Sequence, residues 1–131
     1  MAERPGLSEA EREVLRALWE HGPATVRQVL GVLGDRGRNW AYTTVSTLLQ
    51  RLLAKGYARG EAAPTGTAHV FRATVSRDEL LERRLQDTAD ELCDGSAVPL
   101  VLALVQGNHF SAEDLARLRR LIDEAARRPG A

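Results

Sequence analysis

Residues 41–56 read AYTTVSTLLQRLLAKG. Wound at about 100° per residue, this stretch gathers Val45, Leu48, Leu49 and Leu52 onto one stripe, the i, i+3, i+4, i+7 pattern of an amphipathic helix. The opposite face carries Thr43, Thr47 and Gln50, with Ser46 and Arg51 at its flanks and Thr44 turned partly sideways. Solvated helix faces are commonly rich in Glu and Lys, yet no acidic residue occurs from Asn39 to Gly60. A face of hydroxyls, one amide and one guanidinium can approach phosphates closely. It can also offer donors and acceptors to base edges in a major groove. The stretch therefore reads as a DNA-recognition helix rather than as a surface helix that merely lacks acids.

Two helices are expected before it. Ser8 with Glu11 forms a capping box, Val14, Leu15 and Leu18 supply the buried stripe with Trp19 at its edge, and Gly22-Pro23 stops the helix. Thr25 with Gln28 opens the second, striped by Val26, Val29, Leu30 and Leu33, weakened by Gly31 and ended by Gly34. The linker GDRGRNW at 34–40 is polar and basic. Trp40 stands five residues before Val45, the spacing of a hydrophobic staple across a helix start. Ala41 is a poor cap, which leaves amides suited to a DNA phosphate.

After Gly56 the period changes. Residues 57–62 and 68–73 have strand character around a Pro64-Thr65-Gly66 turn, with Val70 and Phe71 as the apolar material of the second strand. Three helices followed by a hairpin make a winged helix-turn-helix. Arg59, Arg72 and the tip at 65–67, including Thr67, would sit on the wing.

A third capping box, Ser76 with Glu79, opens a long helix to about Cys93 with Leu80, Leu81, Leu85, Ala89 and Leu92 on it. Residues 97–106 follow as a short helix that is apolar on every face, with Pro99 in its first turn. Such a helix must be buried all round. Ser111 caps the last helix, lined by Leu115, Leu118, Leu121, Ile122 and Ala125. Three such helices hold little core in one copy. A homodimer is expected, with Leu80, Leu81, Leu85, Leu100, Val101, Leu102, Leu104, Val105, Leu115, Leu118, Leu121 and Ile122 at its interface. The fold class is thus mostly α with a small β-hairpin: a winged-helix DNA-binding domain over 1–75 and a helical dimerisation domain over 76–131.

Charge divides the same way. The formal net charge is zero. Yet residues 1–75 hold ten basic residues against seven acidic, a balance of +3, and residues 76–131 hold eight against eleven, a balance of −3. Within 27–75 the balance is +5, seven basic against two acidic. Only the first part is expected to meet a polyanion. The N-terminus has no apolar run, and the longest such run, 97–105, is far short of the roughly 20 residues a membrane helix needs. No secretory signal and no membrane span are expected. A single cysteine, Cys93, excludes a disulfide framework and a thiolate metal cluster within one chain. The expected location is the cytoplasm.

The chain resembles the BlaI/MecI penicillinase-repressor family of winged-helix regulators, which also takes in the CopY-type copper repressors. The resemblance rests on LSEAEREVLRALWEHGPATVRQVL at 7–30, WAYTTVSTLLQRLLAKGYARG at 40–60, VSRDELLERRL at 75–85 and LVLALVQGNHFSAEDLARLRRLI at 100–122. It implies a homodimer that binds a dyad-symmetric operator in double-stranded DNA and blocks transcription. Carried over by position, Thr43, Thr44, Ser46, Thr47 and Arg51 stand where the family contacts DNA, and Trp40 and Tyr42 stand at the helix entry near the phosphates. Arg38 and Gln50 complete the expected DNA-binding set. In staphylococcal-type members a sensor protease cuts an Asn-Phe bond in the short apolar helix. Here Ala103-Leu104 stands at that bond, and Asn108-His109-Phe110 is out of register, so release by cleavage at that bond is not implied. The copper branch carries a C-terminal cysteine hook, which Cys93 alone does not supply.

Other function classes fit less well. His21, His69 and His109 lie in three different segments without metal-ligand spacing, so no metal or cofactor is expected. GDRG at 34–37 lacks the Lys and Ser/Thr of a phosphate loop and follows a helix, and Cys93 lies on an apolar helix side, so no enzyme is expected. A winged helix used as a protein-interaction module would tolerate acids and need apolar patches on residues 41–56, and neither is present. A DNA-binding regulator other than a repressor is not separated from a repressor by these residues.

Overall fold

The computed structural model describes residues 5–62, 69–107 and 110–129. Among them the elements run α1 (Glu9–His21), α2 (Val26–Asp35), α3 (Tyr42–Lys55), β1 (Ala58–Ala62), β2 (His69–Ala73), α4 (Arg77–Leu92), α5 (Val98–Gln106) and α6 (Ala112–Ala126). The chain divides into two compact units, Met1–Leu81 and Glu82–Ala131. That division falls inside α4, later than a boundary after residue 75. Val75 is buried and Leu80 packs against the core of the first unit, which keeps the first turn of α4 with it.

In the first unit the helix starts follow their local signals. Ser8 Oγ accepts from the Glu11 amide at 3.1 Å while Glu11 Oε1 accepts from the Ser8 amide at 2.8 Å. Thr25 and Gln28 repeat the arrangement at α2. Gly34 does not stop α2. The helix continues to Asp35, and the turn is made by Gly37 at φ +83°. α3 ends at Gly56, whose left-handed backbone lets its amide and that of Tyr57 reach the last carbonyls of the helix.

The core is built where the three stripes meet. Val14, Leu15 and Leu18 of α1, Val29 and Leu33 of α2, and Val45, Leu49 and Leu52 of α3 are almost fully enclosed. Trp40 packs against this core, as a staple residue should. The strands β1 and β2 pair antiparallel, with Arg59 opposite Arg72 and Gly60 opposite Phe71. Phe71 also exchanges two backbone hydrogen bonds with Ala24, at 2.9 and 2.8 Å, so the segment between α1 and α2 lies against the outer edge of β2.

In the second unit Ala89 is the one buried apolar residue among those described. α6 starts with a capping box of Ser111 and Asp114. α5, apolar on all sides, has no buried residue: Val98 is 61% and Leu102 52% exposed. Leu81, Leu85, Val101, Leu104, Val105, Leu115, Leu121 and Ile122 are exposed as well, while Leu100 and Leu118 are half-buried. Leu80, expected in the dimer interface, is partly buried against the core of the first unit. No helix among the described residues is long and apolar enough to cross a membrane.

Candidate nucleic-acid interface

The buried stripe of α3 holds the helix by one side and leaves the other in solvent. Val45, Leu48, Leu49 and Leu52 are buried, and Thr43, Thr44, Thr47, Gln50 and Arg51 are exposed. Thr43, Thr44, Thr47 and Arg51 line one shallow recess of about 260 Å³, with the edge of Leu48 as its floor. Thr44 is therefore a full member of this face. Thr44, expected partly sideways on the wheel, lines this recess together with the other two threonines. Arg51 makes no ion pair with any described residue, which leaves its guanidinium available to a ligand.

Gln50 parts company with Thr43 and Thr47. It lines a second recess of about 290 Å³ with Thr25, Val26, Arg27, Tyr42, Ser46, His69 and Phe71, between α2, α3 and β2. Here Arg27 lies over the Tyr42 ring at 5.6 Å from its centroid, a cation–π contact that joins the start of α2 to the first residue of α3. Thr25, Arg27 and His69 were not legible as site residues. Arg27 contributed only to the positive balance of its segment, and nothing local brings His69 to α2.

The entry to α3 is polar backbone and aromatic rings. The N-cap Ala41 makes no side-chain cap hydrogen bond. Arg38 lies over the Trp40 ring at 5.8 Å, and its Nε donates to Glu13 Oε1 at 3.0 Å. Arg38 is thus held by α1 and by Trp40 rather than swinging free. On the wing Arg72 Nε donates to Glu61 Oε1 at 2.9 Å. That bond, with the charges of Arg72 and then Arg59, holds the Glu61 carboxyl below its usual range. Arg59 is exposed and directly across the ladder. Thr67 and the wing tip lie outside the described residues.

A helix-turn-helix with a two-stranded wing, an exposed acid-free third helix and cations around it is the architecture of a winged-helix DNA-binding protein. The profile of the penicillinase repressor family matches residues 7–124. The chain is 35% identical over 126 residues to the transcriptional regulator BlaI of Mycobacterium tuberculosis, covering 95% of this chain and 88% of that one. It is 23% identical over 124 residues to the penicillinase repressor of Bacillus licheniformis, covering 95% and 94%. A solution structure of the DNA-binding domain of the repressor BlaI, 26% identical, aligns with a TM-score of 0.50 over 60% of this chain and 93% of that domain. The chain belongs to the penicillinase repressor family: it is a DNA-binding transcriptional repressor and not an enzyme.

Proposed function

We propose that this repressor binds a dyad-symmetric operator as a homodimer, with one winged helix on each half-site and the second units joined about the dyad. The observation that carries the DNA reading is the exposed, carboxylate-free face of Thr43, Thr44, Thr47 and Arg51 on a helix whose other side is wholly buried. In this reading α3 lies in the major groove. Thr43, Thr44, Thr47 and Arg51 face base edges, and Ser46 and Gln50 face the groove wall. Trp40, Tyr42 and Arg38 sit by the phosphates at the helix entry, and Arg59 and Arg72 contact the neighbouring backbone from the wing.

The homodimer reading is supported by α5. An all-apolar helix left in water by a single chain calls for a partner surface of the same kind, and a twofold axis supplies one. Leu81, Leu85, Val101, Leu102, Leu104, Val105, Leu115, Leu121 and Ile122 form that surface. A protein that meets chromosomal DNA in this way works in the cytoplasm. A sensor protease, if one relieves repression, would cut elsewhere than Ala103-Leu104, which offers no Asn-Phe pair.

The test is fluorescence anisotropy of the full chain on DNA from its own upstream region against scrambled DNA over a salt series. The expected result is a steep salt slope, two half-sites and a preference on the order of 10³ or more for the upstream DNA. Equal, weak binding to both at every salt concentration, with no site recovered from a random DNA pool, would overturn the reading.

A further inference from the structure

Every residue lining the recess between α2, α3 and β2 belongs to the first unit. Its basic groups are Arg27 and His69, both exposed. Arg27 makes no ion pair with a described residue. Its guanidinium lies over the Tyr42 ring, a contact that holds the group by its face and leaves the N–H groups at its rim to donate. Thr25 Oγ1 accepts from the Gln28 amide, so its own proton is left to donate. Ser46 and Gln50 add further donors from α3.

His69 joins this recess through the pleat of the wing. Successive strand residues point to opposite faces, so His69 and the buried Phe71 share one face of the ladder. Arg72, its partner Glu61 and Arg59 lie on the other. Directly across from His69 stands Ala62. From α1, Glu20 pairs with Arg36 and the His21 ring meets the Gly22 carbonyl, and neither lines the recess. Residues 63–68, APTGTA, hold no ionisable side chain. The titratable or charged groups that line the recess with His69 are therefore Arg27 from α2 and Tyr42 from α3, with no carboxylate among the described residues. An imidazolium beside Arg27 has no anion there to answer it.

We infer that Arg27 and His69 seat one backbone phosphate of the operator beside α3, and that His69 does so as the imidazolium, so that DNA binding takes up a proton. The inference rests on the docking of α3 in the major groove proposed above. With Ser46 and Gln50 against the groove wall, the recess they line lies where the phosphates of one strand run. A phosphate supplies the anion that the recess lacks. Arg27 can meet it with two parallel hydrogen bonds, and an imidazolium adds a third. Imidazole is the side chain whose ordinary charge change falls between about pH 5 and about pH 8. Each further cation on a phosphate steepens the salt dependence of binding, so acidification should raise the affinity and the salt slope together.

The experiment measures anisotropy of the full chain on a duplex that the wild type selects from a random DNA pool, over a salt series at about pH 5.5 and about pH 8. The proteins are wild type, His69→Gln, Arg27→Gln and the double variant His21→Gln/His109→Gln. Wild type is expected to bind about tenfold tighter at the lower pH, the worth of one charge-assisted hydrogen bond, with a salt slope steeper by about one unit. His69→Gln should lose both gains, and the double variant should keep them. Arg27→Gln should lower the slope by about one unit at either pH and weaken binding equally on every singly substituted operator. A wild type without the acid gain overturns the inference, as does a gain that survives His69→Gln or vanishes in the double variant. An Arg27→Gln loss confined to one base pair overturns it too, since the recess would then read a base. A pool that yields no preferred duplex overturns the operator reading and this inference together.

Discussion

The Glu11 carboxylate, 2% exposed, receives a 2.6 Å hydrogen bond from the Lys55 ammonium, joining the first turn of α1 to the last turn of α3. The same oxygen accepts from the Ser8 amide, and Lys55 also donates to the Gly6 carbonyl at 3.0 Å. Burial alone would raise the Glu11 pKa. The Lys55 hydrogen bond, the Ser8 amide and the Lys55 charge together outweigh it, and the carboxyl lies below its ordinary range. The pair pins α3 by its C-terminal end, away from the exposed face of Thr43, Thr44 and Thr47.

This pair makes stability depend on pH in one direction. A carboxyl whose folded pKa is depressed contributes in full above its unfolded pKa, about 4.3, and loses that contribution as pH falls through the folded value. Urea unfolding of wild type and Glu11→Gln between neutral and strongly acid pH should give curves that converge on the acid side. A constant difference across that range would mean that Glu11 acts through shape and not charge. Lys55→Met, which leaves the buried carboxylate without its cation, should cost roughly 1.5–3 kcal/mol at neutral pH.

Arg51→Ala should weaken operator binding by roughly 1–3 kcal/mol and relax specificity at one base pair, as removal of a bidentate base contact does. Anisotropy on a panel of singly substituted operators checks this. Equal loss on every sequence would reassign Arg51 to a phosphate.

The two wing arginines should differ. Arg59 has no ion pair with a described residue, whereas Arg72 is engaged by Glu61. Arg59→Ala should lower the salt slope of binding by about one unit, and Arg72→Ala by less, because Arg72 would have to leave Glu61 to meet a phosphate. Slopes that fall equally would show that the Glu61 pair opens at no cost.

Leu102→Arg should give a folded monomer. In a single chain Leu102 is exposed, so an arginine there stays hydrated, but in an apolar interface it would be desolvated without a partner. Sedimentation velocity should show the loss of the dimer while circular dichroism keeps its helix signal. A dimer that persists places the interface elsewhere.

The helices were legible because their signals are short-range. Ser8–Glu11 and Thr25–Gln28 each span one turn, Ser111 caps α6, and the stripes of α1 to α3 repeat within two turns, so neighbouring residues suffice to specify them. Gly34 shows the limit. A glycine was read as a stop, yet the turn came at Gly37, where a positive φ is actually needed. Leu80 shows another: its type says apolar, but not which of two surfaces it joins.

The sequence by itself determined the class of this protein: three striped helices, a hairpin and an acid-free third helix follow from periodicity, caps and charge within a few residues of chain. Tertiary structure alone decided the attachments between distant residues. It put Glu11 on Lys55, Trp19 on the Val75 carbonyl and Phe71 on Ala24. It also divided the exposed face of α3 into a recess with Arg51 and another with Arg27, Gln50 and His69. The reason is physical. Caps and amphipathic periods act through bonds and turns that reach about four residues. Which donor meets which acceptor across dozens of residues is settled only when the packed stripes bring the elements together.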